Sequence, residues 1–306
     1  MKKRQLILTA LIIFAGLGLI QAANLGDPAP EIQIETWIKG KPVQIEKGNI
    51  YVVEFWATWC APCRTTIPHL TELQEKFENR GVVFIGITSE AVSTVKPFVE
   101  KMGQKMDYHV AIDQDRKTSR GYMEAFGVRG IPHAFVVDKE GKIAWHGHPM
   151  SDLENILTRL TSGSYNMQDR KKMEAAENLM PVYFHLVSKT DEEDLAEEVG
   201  NRILKYAGDN PPFLDRMAWA IVSNPETRKE GLPFAEKAIE KAYQATEGEN
   251  FSILDTYARI MESKGNYAKA VELGEKAVKL AEGEDVEGEL KKRLEDYREK
   301  LEDKKK

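Results

Sequence analysis

The chain has 306 residues, of which 42% are hydrophobic and 30% charged, and a formal charge of −6. The length suits about two domains of ordinary size. The apolar content is enough for a core, and the small negative charge excludes a general pull toward nucleic acid or anionic membrane.

The N-terminus opens on the basic Met1-Lys2-Lys3-Arg4. An uncharged apolar run follows from Leu6 to Ile20, then the small residues Ala22 and Ala23 before a polar start at Asn24. This order predicts a secretory signal peptide over residues 1–23. The run is short against the ~20 residues of a spanning helix, and an uncleaved N-terminal anchor is the other reading. Either one exports the rest of the chain to the periplasm or envelope, and leaves contact with membrane to this segment alone. No cysteine follows the run, which argues against a lipoprotein.

Short strands and turns are expected from Leu25 to Asn49. Ile50 to Trp56, IYVVEFW, is β-branched and aromatic and reads as a buried strand. Cys60 to Arg80 follows with helical spacing of Ile67, Leu70, Leu73 and Phe77, and Gly81 ends it. Val82 to Thr88 is a second buried strand. Val92 to Met102 is a helix, Tyr108 to Ile112 a strand, and Lys117 to Phe126 a helix closed by Gly127. Ala134 to Val137 and Lys142 to His146 form a hairpin about the turn Asp138-Lys139-Glu140-Gly141. Asp152 to Leu160 is a last helix. The alternation predicts an α/β domain over 24–162, with a mostly parallel sheet covered on both faces and an antiparallel hairpin at its end.

The chain's two cysteines are Cys60 and Cys63, separated by Ala61 and Pro62. So short a loop constrains little of the unfolded chain. Working thiols or a metal site are therefore better explanations than a structural staple. Cys60 falls between a strand and a helix, where the free amides and dipole of the helix start favour an anion and lower a thiol's pKa. Cys63 is one turn on, placed to attack a mixed disulfide. Pro62 suits a first helical turn, and Pro68 should kink the helix. Far along the chain, Gly130-Ile131-Pro132-His133 leads into the strand Ala134–Val137, a place where proline is tolerated.

These pieces resemble the thioredoxin-like fold, and more narrowly the exported TlpA/ResA-like thiol–disulfide oxidoreductases. They are FWATWCAPC (Phe55–Cys63), Pro68, the insert around Val92–Ile112, FGVRGIPHAFVVDKEGKI (Phe126–Ile143) and the leader. The likeness covers about Leu25 to Leu160. It implies a mixed central sheet, Cys60 as attacking thiolate, Cys63 as resolving thiol, and a Cys60–Cys63 disulfide in the oxidised state. It also implies Pro132 as a cis proline, the Ile131 backbone as a pairing edge for substrate, and Trp59 as an apolar flank. His133, next along, is expected in the substrate groove. The partners implied are protein thiols or disulfides and an upstream dithiol reductant, with no cofactor. The implied direction is reduction, as in keeping cytochrome c or copper-site cysteines reduced.

Two departures stand out. Members close to ResA carry glutamate at the place of Thr66, and asparagine at the place of Glu54. Here the acid returns to the position that thioredoxins use. A carboxylate inside an apolar strand is desolvated, which raises its pKa and fits it to take the Cys63 proton during resolution. The lysine that accompanies the thioredoxin acid has no counterpart in VVFIGIT. A wetted, idle Glu54 is the alternative. Cys60, Cys63 and His133 as a soft-metal set for copper or zinc is a rival function. His146 and His148 read as a loop after a strand. The setting of Cys60 after Trp56-Ala57-Thr58-Trp59 argues against a peroxidase.

After the polar Thr161-Ser162-Gly163-Ser164, residues 163–306 carry helical patterns and no convincing strand. Trp219, Ala235 and Ala242 recur as Leu254, Ala270 and Ala277, each 35 residues on, and Glu240-Lys241-Ala242 recurs as Glu275-Lys276-Ala277. Small alanines let antiparallel helices approach, and this period resembles tetratricopeptide (TPR) repeats. Gly274 and Glu282 depart from that pattern, at places where an aromatic and a proline are usual. Trp219, Tyr243, Tyr257 and Tyr267 are expected in the repeat core. The stripe Leu290, Leu294, Tyr297 and Leu301 suits a capping helix. Such repeats make surfaces for docking a protein or peptide. An interaction protein with an accessory redox site is a second rival reading.

Overall fold

The computed structural model describes residues 23–189 and 192–304. The leader falls outside them, apart from Ala23. The chain divides into two compact units, one ending at Arg170 and the other beginning at Lys171.

The first unit is built on one six-stranded sheet. Its strands are β1 (Ile34–Lys39), β2 (Ile50–Phe55), β3 (Val82–Thr88), β4 (His109–Asp113), β5 (His133–Val137) and β6 (Ile143–Gly147), in the spatial order β1–β4–β3–β2–β5–β6. β2, β3 and β4 run parallel to their neighbours among these three. β1 is antiparallel to β4, β5 to β2, and β6 to β5. The sheet is thus mixed, with a parallel centre and antiparallel flanks. Every residue of β2 is buried, as a central strand covered on both faces requires.

The helices of this unit are α1 (Ala61–Phe77), α2 (Val92–Met102) and α3 (Leu153–Ser162). α1 lays Cys63, Ile67, Leu70, Leu73 and Phe77 on the sheet and accommodates Pro68 inside it. Ile50, Val52 and Trp56 meet that face, together with Ala134 and Val136 of β5. The other face gathers Tyr51, Val53, Phe55, Tyr122, Phe135 and Val137. This is the period-two alternation of a strand. The helix expected over Lys117–Phe126 is broken. A single α-turn, Lys117–Ser119, passes into a π-helical stretch, Arg120–Glu124. The carboxylate of Asp113 accepts the amides of Thr118 and Ser119, which fixes where that turn begins. Residues Thr161 and Ser162 belong to the last turn of α3, which ends at Gly163 with φ of 76°.

The second unit is all-helical among the described residues. Its helices are the remainder of α4 (Met167–Val187), then α5 (Glu193–Ala207), α6 (Pro211–Ser223), α7 (Pro225–Ala245), α8 (Phe251–Ser263), α9 (Tyr267–Leu280) and α10 (Glu287–Asp303). Asn210, Asn224, Asn250 and Asn266 each cap a helix through the side-chain oxygen. Ala235 and Ala242 of α7 are buried, as are Ala270 and Ala277 of α9, so the 35-residue offset relates these second helices. The first helices are related differently. Asn210 and Asn250 are equivalent caps, and Phe213, Leu214 and Ala218 correspond to Ile253, Leu254 and Ala258, 40 positions on. The longer α7 absorbs the difference.

This corrects the placement of Trp219. It is not core but 40% exposed, and its ring carries the guanidinium of Arg259 at 4.4 Å. Tyr243, Tyr257 and Tyr267 are half-buried. Gly274 also gains a reason. A Cβ there would stand 3.2 Å from Leu294 Cδ1 and 3.5 Å from Tyr297 Cδ2, so an aromatic at this place would displace the last helix.

Candidate active site

Cys60 is the N-cap of α1, with extended backbone, and Pro62 sits in the first turn. Its sulfur accepts the amide hydrogen of Cys63 at 3.2 Å. The two cysteines are joined as a disulfide. Cys60 keeps 3% of its surface and Cys63 none, so Cys60 is the one of the pair with any access to solvent. The Ile131–Pro132 bond is cis, and Cys60 Sγ lies 3.8 Å from the carbonyl oxygen of Ile131. The fold therefore brings together two segments 71 residues apart. Trp59, beside Cys60, is 70% exposed.

The loop before Cys60 is held from the turn that follows β3. Glu90 accepts the Thr58 amide at 2.6 Å with one carboxylate oxygen and the Thr58 hydroxyl at 2.8 Å with the other. Arg64 Nη1 donates to the Thr58 carbonyl at 3.1 Å. Sequence reasoning missed this clamp, because Glu90 lies in a polar turn that carries no motif.

Glu54 shares the α1 face of β2 with Val52 and Trp56, and is 1% exposed. Its strand neighbours are Gly86 of β3 and Ala134 of β5. Tyr108 donates its hydroxyl to Glu54 Oε2 at 3.1 Å. Thr66 Oγ1 stands 3.4 Å from Oε1 and 3.0 Å from the Cys63 carbonyl oxygen. Burial pushes the Glu54 carboxyl up to about 8, and the hydrogen bonds from Tyr108 and then Thr66 pull the other way. Desolvation wins, because two hydroxyl donors do not replace the water that a carboxylate loses. Glu54 is therefore neither wetted nor exposed. Tyr108 was also missed as a site residue, being read only as the start of a strand. The signal that could have found it is Gly86, which interrupts an apolar strand: a Cβ there would come within 2.9 Å of Tyr108 Cε2 and 3.1 Å of Trp56 Nε1.

His133 packs against β6. Ala134 and Val136 point to the cysteine face, so strand alternation sends His133 to the opposite face with Phe135. There its Nε2 meets His146 Nδ1 at 3.1 Å. The His146 ring stacks on Phe135 at 5.4 Å and receives Phe126 edge-on at 5.1 Å. Burial, then the neighbouring His146 and His148, bring His133 down to about 4. His146 belongs to β6 rather than to a loop. Among the described residues, no group of three or more His, Cys, Asp or Glu side chains is arranged to hold a metal ion.

The pattern of the AhpC/TSA family matches residues 25–146. The thiol–disulfide oxidoreductase ResA of Bacillus thuringiensis (strain Al Hakam) is 30% identical over 179 residues, which span 53% of this chain and 99% of that protein. The protein FixW of Rhizobium leguminosarum is 28% identical over 171 residues, 53% of this chain and 77% of that one. Among solved structures, a thiol:disulfide interchange protein of the thioredoxin family from Chlorobium tepidum TLS is 30% identical, covering 46% of this chain and 99% of that chain, with a TM-score of 0.38. With a buried Cys-x-x-Cys pair at a helix start, a cis proline beside it and a ResA relative matched over nearly its whole length, the chain belongs to the ResA-like thiol–disulfide oxidoreductases.

Proposed function

We propose that this chain reduces disulfides of exported envelope proteins, with Cys60 as nucleophile, Cys63 as resolving thiol and Glu54 as proton acceptor. In the dithiol state the Cys60 thiolate attacks one sulfur of a substrate disulfide. That S–S bond breaks, and the other substrate sulfur leaves as a thiolate that takes up a proton. Cys63 then gives its proton to Glu54 and attacks Cys60 Sγ. The mixed disulfide breaks and the second substrate sulfur leaves. Two electrons have passed to substrate, and the Cys60–Cys63 disulfide is left for an upstream dithiol protein to reduce. Trp59 and the Ile131 backbone flank the sulfur that substrate meets.

The observation that carries this reading is the Cys63 amide donating to Cys60 Sγ at the start of α1. A helix start with a free amide aimed at sulfur favours thiolate there. The burial of Glu54 on the same face supports its part. Insulin reduction tests the roles. Cys60→Ala should abolish turnover, and Cys63→Ala should accumulate a mixed disulfide. Turnover at the parent rate in Cys60→Ala would remove the mechanism.

Export is read from the leader at 1–23 and is tested by fractionating cells that express the full chain. The α6–α7 and α8–α9 hairpins, with alanines at their crossings, support a TPR-like docking role for the helical unit. Deleting residues 171–306 should leave insulin reduction intact and lose the function in cells. Full function of the truncated chain in cells would contradict it.

A further inference from the structure

We propose that Tyr108 is a positioning residue for Glu54, its hydroxyl holding the carboxyl group and setting the pH at which that group can take the Cys63 proton. The consequence for the reaction rests on Glu54 being the proton acceptor, as read above. The holding itself stands on geometry.

Glu54 is enclosed by elements that bring it little help. β3 offers Gly86 and β5 offers Ala134. α1 brings Thr66 and Cys63, and the segment before β4 brings Tyr108. Tyr108 is the titratable group that meets Glu54 from these elements, and Cys63 is held in the disulfide. Among the described residues no lysine, arginine or histidine pairs with it. When Glu54 carries charge, the hydroxyls of Tyr108 and Thr66 are what replace its water among the described residues.

The two hydroxyls are not equivalent. Thr66 has one proton and two acceptors in reach, the Glu54 Oε1 and the Cys63 carbonyl oxygen. With Glu54 neutral, the carboxyl proton goes to Thr66 Oγ1, and Thr66 donates to the Cys63 carbonyl. With Glu54 ionised, Thr66 must turn to the carboxylate and release that carbonyl, or leave Oε1 unmet. Tyr108 has no such conflict. Its hydroxyl donates to Oε2 in either state, at the shorter 3.1 Å. Burial, and then the Glu54 charge, keep the phenol protonated well above its ordinary range, so it stays a donor. The missing Cβ at Gly86 gives the Tyr108 ring its place against β3. A hydrogen bond to a charged group strengthens as charge develops, so Tyr108 favours the ionised form of Glu54 in particular.

The test uses the full chain with its disulfide intact and Glu54 titrated by carboxyl-carbon NMR, the signal assigned by its absence in Glu54→Gln. Tyr108→Phe removes one oxygen and keeps the ring. It should raise the Glu54 midpoint by about one pH unit or more, and Thr66→Val should raise it less. An unmoved midpoint in Tyr108→Phe would overturn the proposal. In the same variant, resolution of a Cys60 mixed disulfide should slow about tenfold at neutral pH, with its pH profile displaced to higher pH by the same shift. A displaced midpoint with an unmoved resolution profile supports the holding by Tyr108 and rejects Glu54 as proton acceptor. Tyr108→Phe added to Glu54→Gln should slow resolution no further. A further tenfold loss in that double variant would show Tyr108 acting by another route and would overturn the assignment.

Discussion

Glu54→Gln should make the protein more stable at alkaline pH, although it removes a carboxyl from the candidate active site. The carboxyl has an ordinary value of 4.5 and is pushed up to about 8 in the fold. Between those values the folded chain holds a proton that the unfolded chain has lost. The native state then binds more protons than the unfolded state, so stability falls as pH rises through this window. Each unit is worth about 1.4 kcal/mol, and the window of three and a half units gives a loss of about 5 kcal/mol by pH 8. The group is fully buried, so no allowance for solvent screening applies.

Glutamine keeps the neutral pattern. Its carbonyl accepts from Tyr108 and its amide donates to Thr66, and it cannot ionise. The variant should match the parent near pH 4.5 and exceed it progressively above. Guanidinium unfolding at several pH values, followed by tryptophan fluorescence, measures this in the first unit, which holds Trp37, Trp56, Trp59 and Trp145 of the five tryptophans. Parallel profiles for variant and parent from pH 5 to 8.5 would refute the burial argument for Glu54.

Three further changes probe the packing around the site and in the helical unit. Gly86→Ala places a methyl within 2.9 Å of the Tyr108 ring. It should cost about 1–3 kcal/mol and loosen the Tyr108–Glu54 bond, read from denaturant unfolding and the Glu54 midpoint together. Glu90→Gln weakens the clamp on Thr58, and the Thr58 amide should exchange its hydrogen at least tenfold faster, as a net loss of about 1.5 kcal/mol implies. Gly274→Phe restores the aromatic of the repeat pattern, yet should destabilise the helical unit by about 1–3 kcal/mol, because Leu294 and Tyr297 occupy that space. Unfolding of the helical unit, followed by circular dichroism, checks it.

Much of the site was legible because its signals are local. A buried strand running into Cys-Ala-Pro-Cys, an acid within that strand, and an Ile-Pro before another strand each need only neighbouring residues to be read. What escaped depends on how strands line up. Tyr108 reaches Glu54 across 54 positions, and only the order β4–β3–β2 with a glycine between makes that possible. The pairing of His133 with His146 depends on the β5–β6 register, which no local pattern shows. Trp219 falls in the core only if the 35-residue offset of the second helices is carried over to the first helices. Those are offset by 40, which makes Leu214 the partner of Leu254 and sets Trp219 opposite Arg259.

The central claim is that the start of α1 makes Cys60 an acidic thiol while Cys63 waits, shielded, behind it. Iodoacetamide alkylation of the reduced chain across pH, read by mass spectrometry at each cysteine, tests it most directly. Cys60 should react first, with a midpoint well below the ~8.5 of an ordinary thiol, and Cys63 should stay protected in the folded chain. Two cysteines reacting alike, both with midpoints near that of a thiol in an unstructured peptide, would contradict the account.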